Sequence, residues 1–121
     1  MADLPLISIV DDDESVRESL PDLLRELGFD VRAFSSAEEF LISDYIDHTS
    51  CLILDIAMPG MTGPELHNEL KFRRREIPTI FITAHADETT RPRMISSGAV
   101  ECLAKPFSER ALINALELAL K

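Results

Sequence analysis

The residues able to do chemistry stand at the ends of apolar runs: Asp11, Asp12 and Asp13 after Leu6–Val10, Asp55 after Cys51–Leu54, Thr83 after Thr79–Ile82, and Lys105 after Ala99–Ala104. Carboxylates gathered within a few ångströms repel one another, and a desolvated group of them persists only with a cation or with protons. Donors that are all oxygen suit Mg²⁺, which holds a couple of carboxylates and keeps several of its waters. A metal bridging Asp12, Asp55 and a phosphoryl oxygen would neutralise the charge that otherwise keeps an anionic donor away. An aspartate carboxylate can be the nucleophile and become an aspartyl phosphate. Lys105 offers a point charge to a second phosphoryl oxygen, and the Thr83 hydroxyl can donate to a third. Positioning and charge neutralisation are what in-line phosphoryl transfer requires.

Such a set works only if the chain brings these ends together, and the hydrophobic pattern supplies the elements to do so. Leu6–Val10 reads as a short strand that stops at Asp11. Val16, Leu20, Leu23, Leu24 and Leu27 follow at helical spacing, closed by Gly28. Asp30–Phe34 alternates polar and apolar, as an edge strand would, and Ser36 caps a helix bearing Ala37, Phe40 and Leu41. Cys51–Leu54 is a wholly apolar strand ending on Asp55, and the turn Met58–Gly63 leads to Pro64 in the first turn of a helix through Leu66 and Leu70. Thr79–Ile82 is a further buried strand. A helical stretch to Ser97 is stopped by Gly98, Ala99–Ala104 is the last strand, and Ser108 caps a helix that turns Leu112, Ile113, Leu116 and Leu120 inward.

These βα units predict an α/β fold: a doubly wound parallel sheet in strand order 2-1-3-4-5, flavodoxin-like, with flanking helices and a single domain over residues 1–121. In such sheets functional groups collect at the C-terminal edge of the strands. Asp11, Asp12, Asp55, Thr83 and Lys105 are thereby expected in one crevice.

Composition narrows the function classes. The chain has 121 residues and 45% hydrophobic residues, enough for one domain with a real core. A net charge of −10 argues against nucleic-acid binding by this chain. The run Arg73–Arg75 reads as the close of a helix, where cations favour the negative dipole end. No stretch approaches the roughly 18 apolar residues of a membrane span, and Leu4–Val10 contains Pro5 and runs into acids, unlike a signal peptide. A cytoplasmic protein is expected, with Cys51 and Cys102 as buried free thiols.

The stretches Ile9-Val10-Asp11-Asp12-Asp13, Leu54-Asp55-Ile56-Ala57-Met58-Pro59-Gly60-Met61-Thr62-Gly63, Ile82-Thr83-Ala84 and Lys105-Pro106-Phe107 resemble, in order and spacing, the four signatures of response-regulator receiver domains of two-component systems. The resemblance covers nearly the whole chain. Arg17-Glu18-Ser19-Leu20, Ser36-Ala37-Glu38-Glu39-Phe40-Leu41 and Gly98-Ala99-Val100 further resemble receivers joined to helix-turn-helix transcription outputs. It implies a signal receiver rather than an enzyme in the ordinary sense, with Asp55 as phosphoacceptor. Asp12 is then a direct Mg²⁺ ligand, Asp11 a partner acting mainly through water, and the Ala57 carbonyl the remaining protein ligand. Thr83 turns toward the phosphoryl group, Lys105 contacts it, and a cis peptide joins Lys105 to Pro106. The implied partners are a sensor histidine kinase or small phosphodonor and an output domain, with phosphorylation-dependent homodimerisation by analogy. Nothing in the residues decides whether a further domain follows Lys121.

Departures from the family pattern carry expectations of their own. Receivers usually place an aromatic residue three positions before the lysine, and here Cys102 stands there, so readout is expected through backbone and helix movement around the fourth helix and fifth strand. Pro21 should kink the first helix, while Pro92 should mark a late start of the fourth, leaving residues 86–91 irregular. His85, two residues after Thr83, either tunes water access to the phosphoryl group or is a plain loop histidine. His48 and His67 are expected at the surface, without partners at metal-ligand spacing.

Three other readings compete. A haloacid-dehalogenase-like phosphohydrolase shares the aspartate, threonine, lysine and Mg²⁺, but needs a second acidic pair, and only Glu109 and Glu117 follow Lys105. A flavodoxin-like cofactor binder needs a phosphate loop after the first strand, where this chain has acids. A pseudo-receiver would keep the fold as a docking module without phosphorylation.

Overall fold

Strand β3 (Cys51–Asp55) exposes none of its residues, because it lies at the centre of a sheet covered on both faces. In the computed structural model, which describes residues 4–121, β3 is flanked by β1 (Leu6–Val10) and β4 (Thr79–Thr83), with β2 (Asp30–Phe34) and β5 (Glu101–Ala104) at the edges. All pairings are parallel and the order is β2-β1-β3-β4-β5, as the sequence pattern predicts. The helices between them are α1 (Glu14–Glu26), α2 (Ala37–Leu41), α3 (Gly63–Phe72), α4 (Thr90–Ser96) and α5 (Glu109–Ala119).

The alternation of side chains along each strand sorts the core into two layers. Ile7, Ile9, Ile53 and Ile80 face Leu20 and Leu24 of α1 and Leu112 and Leu116 of α5. Val10, Leu52, Leu54 and Phe81 face Phe40 of α2, Leu66 and Leu70 of α3, and Met94 of α4. Crossovers fastened on both faces leave the C-terminal ends of the strands free, and the site forms there.

Local signals decide where the helices begin. Asp13, Ser36, Thr62 and Ser108 each accept a backbone N–H from the first turn of the helix they precede. Thr62 and Glu65 exchange bonds in a capping box, with Pro64 in the first turn. Gly63 is required by close approach, because a Cβ there would overlap the carbonyl oxygen of Asp55. Helix α1 continues through Pro21 to Glu26, with the proline ring buried.

Three expectations change. The last strand starts at Glu101 rather than Ala99, because the Ala99 N–H closes α4 onto the Met94 carbonyl (3.1 Å) and is lost to the ladder. Pro92 does fall in the first turn of α4, but the irregular stretch ends earlier than residue 91, since the helix begins at Thr90. His67 is buried rather than at the surface. Its ring meets Phe81 edge-on, with centroids 5.4 Å apart, and burial followed by the nearby Lys71 lowers its pKa. His48 is exposed, as expected.

The arginine run closes α3: Arg73 is its C-cap, Arg73 Nε lies 2.7 Å from Glu69, and Arg75 reaches Asp47 at 2.8 Å. Cys51 and Cys102 are buried and free, and burial pushes the Cys51 thiol up to about 12.

Candidate functional site

Every residue that the sequence assigns to the crevice sits at the same sheet edge. Asp11 and Asp12 follow the end of β1, Asp55 and Thr83 are the last residues of β3 and β4, and Lys105 follows β5. Asp11, Asp12 and Asp55 each bring a carboxylate oxygen within 4.8 Å of the others. Asp13 does not join them; it turns away to cap α1, accepting from Ser15 N at 3.0 Å and Ser15 Oγ at 2.7 Å. The helix-terminus role therefore falls to Asp13, and the pocket role to the two acids before it.

Asp11 is fully buried and well anchored. Its Oδ1 accepts the Asp13 N–H at 2.9 Å, and its Oδ2 lies 2.7 Å from Lys105 Nζ. Its main-chain carbonyl accepts from Arg17 Nη1 at 3.0 Å, a tie across the first turns of α1 that the sequence motif does not announce. Asp55 is 5% exposed, and Lys105 Nζ stands 3.8 Å from its Oδ1. Burial, and then the neighbouring Asp11, push the Asp55 carboxyl up to about 7, with Lys105 pulling the other way. One lysine offsets only part of the repulsion among these acids, which leaves a pocket of hard oxygen donors with a deficit of positive charge. That donor set fits a divalent cation such as Mg²⁺ and suits neither a soft metal nor an anion.

Thr83 is buried and its Oγ1 accepts the His85 N–H at 3.1 Å, so the threonine hydroxyl keeps its own proton for another acceptor. The His85 side chain is exposed. Lys105 N bonds the Thr83 carbonyl at 2.7 Å, and the Lys105–Pro106 peptide is cis, as expected. Cys102 is buried on β5 in register with Phe81, so no aromatic ring occupies that position.

Between β3 and α3 the chain is fastened at both ends. Ile56 N bonds the Ile82 carbonyl and Gly63 N the Ile56 carbonyl, each at 3.0 Å. Ala57 follows Ile56 and is exposed. One contact here is missed by sequence reasoning: Glu38 of α2 accepts the Met61 N–H at 3.0 Å, a pairing over 23 residues that no local pattern encodes.

Fold and site together define a doubly wound α/β domain with an acidic, lysine-bearing pocket at its strand ends. Residues 7–117 match the response regulator receiver domain, and the chain belongs to that family. It is 43% identical over 111 residues to Nodulation protein W of Bradyrhizobium diazoefficiens, an alignment covering 92% of this chain and 49% of that one. It is 42% identical over 116 residues to the response regulator protein TodT of Pseudomonas putida, covering 96% and 51%. The chain thus spans about half the length of these curated relatives. Among solved structures it resembles FixJ-N, with a TM-score of 0.85 and 38% identity over 99% of this chain and 95% of that one. No helix among the described residues is long and apolar enough to cross a membrane.

Proposed function

We propose that residues 1–121 form one receiver domain in which Asp55 accepts a phosphoryl group from a sensor histidine kinase or a small phosphodonor. The observation that carries this reading is a buried carboxylate, Asp55, sharing one pocket with Asp11, Asp12 and Lys105. Asp11, Asp12, Asp55 and the Ala57 carbonyl would hold Mg²⁺, which when bound neutralises charge and keeps the Asp55 carboxylate ionised. An Asp55 oxygen then forms a bond to phosphorus as the donor's bond to phosphorus breaks, and the electron pair leaves with the donor. Lys105 needs only a short movement from Asp11 to meet a phosphoryl oxygen, and the Thr83 hydroxyl donates to another.

With Cys102 at the position where family members carry a ring, the signal passes through the backbone at Thr83 and the movement of α4 against β5. In the longer protein that the relatives' length suggests, an output domain reads this surface, in the manner of a transcription regulator. Phosphorylation-dependent homodimerisation through the same face is the output consistent with the family. The acidic charge assigns any DNA contact to that other domain and not to this chain. The setting is cytoplasmic, and catalysis is limited to the domain's own phosphorylation and dephosphorylation. The phosphohydrolase reading lacks its second acidic pair, since Glu109 and Glu117 both lie exposed on α5.

Intact mass after incubation with acetyl phosphate tests the proposal. A gain of one phosphoryl group is expected that requires Mg²⁺, decays with time and is absent from Asp55→Asn. Absence of both adduct and metal binding would replace this reading with the pseudo-receiver one.

A further inference from the structure

The Mg²⁺-binding reading leaves the outer half of the β3–α3 loop unexplained. Asp55 and Ile56 are held by the sheet, and Thr62 and Gly63 by the start of α3. Between them Ala57, Pro59 and Gly60 are exposed, and of these residues only Met58 is buried in the core. A carbonyl offered as a ligand from Ala57 needs this stretch fixed to within a fraction of an ångström, because Mg²⁺ tolerates little departure from octahedral geometry.

Glu38 supplies the fixing. It stands in the first turn of α2, on the neighbouring crossover, and its Oε2 accepts the Met61 N–H at 3.0 Å. That same oxygen would lie only 2.9 Å from a Cβ at Gly60, whose φ is +72. The loop therefore passes close to the carboxylate, in a backbone conformation that glycine accepts without strain. Helix α2 is itself pinned from below by Phe40, which is fully buried against the sheet, and from its start by the Ser36 cap. The carboxylate is thus presented from a fastened element to a loop that has no other tie between Ile56 and Thr62 among the described hydrogen bonds.

We infer that Glu38 is a positioning residue of the phosphorylation site, clamping the β3–α3 loop through Met61 so that the Ala57 carbonyl stands ready for the cation. This inference rests on the receiver reading above. It assigns Glu38 no contact with metal or phosphoryl group. What the clamp needs is a hydrogen-bond acceptor at this place and not the negative charge, which separates it from a long-range electrostatic effect of one more acid near the pocket.

The experiment compares wild type, Glu38→Gln and Glu38→Ala in three measurements. Amide exchange on the metal-free chain reads the clamp directly. Glu38→Ala should lose protection at Met61 while α3 and the strands keep theirs, and Glu38→Gln should retain it. Mg²⁺ titration followed by backbone NMR should show affinity lowered about three- to ten-fold in Glu38→Ala, the range for losing one hydrogen bond, with Glu38→Gln near wild type. Acetyl phosphate labelling should slow by the same factor at low Mg²⁺ and recover at saturating Mg²⁺.

Unchanged Met61 protection in Glu38→Ala overturns the clamp. Equal impairment of the Gln and Ala variants assigns the effect to charge and overturns it as well, as does a labelling deficit that persists at saturating Mg²⁺. A wild-type chain that takes no phosphoryl group at all defeats the receiver reading instead, and the exchange measurement on metal-free protein still decides the clamp.

Discussion

The two crossovers that frame the pocket are built to different standards. From β3 to α3 the loop is tied to the neighbouring strand, to α2 and to its own helix start, and α3 enters with a capping box and buries Leu66, His67 and Leu70. From β4 to α4 the residues 84–89 are all exposed. Their side-chain bonds reach no more than three positions along the chain, as where Asp87 accepts from Thr89 and Thr90. Helix α4 spans seven residues, receives no side-chain cap from Thr89 and buries only Met94. Local opening is cheapest where few apolar contacts and few long-range hydrogen bonds must break. The difference teaches a division of labour: the β3–α3 side is fastened at several points beside the pocket acids, and the β4–α4 side has few ties to break before it moves.

Core truncation separates the two sides most strongly. Leu66→Ala should cost about 2–4 kcal/mol in urea unfolding, whereas Met94→Ala should cost about 1–2, because a short helix with one buried anchor can settle into the space left behind. Equal costs would erase the contrast.

The pocket acids give the next largest effect. In metal-free protein the folded Asp55 carboxyl, at about 7, lies above its ordinary value of 3.8. Between these values the folded state holds a proton that the unfolded chain has released, so this group's contribution to stability falls as pH rises through that window and levels off above it. Asp55→Asn removes the burden. With chelator present it should be more stable than wild type at about pH 8 by on the order of 1–3 kcal/mol, with the gap shrinking toward about pH 4. A gap independent of pH would mean that the acids do not strain the fixed side.

The smallest effect sharpens the mobile side. Arg91 grips Glu101 through Nε at 2.6 Å and Nη2 at 3.1 Å, tying α4 to β5 at the surface, and this bond holds the Glu101 carboxyl below its ordinary range. Arg91→Ala should change stability by less than about 0.5 kcal/mol, as is usual for an exposed pair. NMR titration should show the Glu101 pKa rising back, and amide exchange over residues 84–91 should quicken while α3 is untouched. Quickened exchange in both helices would show one cooperative unit instead of two.

How far the sequence reaches follows the same division. A strand with uninterrupted apolar residues, such as Cys51–Leu54, leaves its end unambiguous, and Asp55 is legible there because burial on both faces is costly for a charge placed any earlier. Thr83 and Lys105 are legible by their place in the alternation, since β4 also opens on buried Thr79 and β5 on Glu101. Caps such as Ser36 and Ser108 were equally legible, since their chemistry is local. What could not be read depends on pairings distant in sequence. Helical periodicity did not reveal that His67 would meet Phe81, because a histidine on an amphipathic helix fits either the core margin or the solvent. The start of β5 hinged on which way the Ala99 N–H bonds, a competition between helix closure and ladder that composition does not decide. Glu38 and Arg17 act on backbone groups of loops, and a contact with a main-chain N–H or carbonyl leaves no partner residue to recognise.

The most direct test of the account is to locate the phosphoryl group. Borohydride reduces an aspartyl phosphate to homoserine, so treating the chain after acetyl phosphate and Mg²⁺ and sequencing its peptides by mass spectrometry marks the acceptor. Conversion at Asp55 alone is the predicted result. Conversion at Asp11 or Asp12, or none in a chain that binds Mg²⁺ and has been given its kinase, would contradict the assignment of Asp55 as the acceptor.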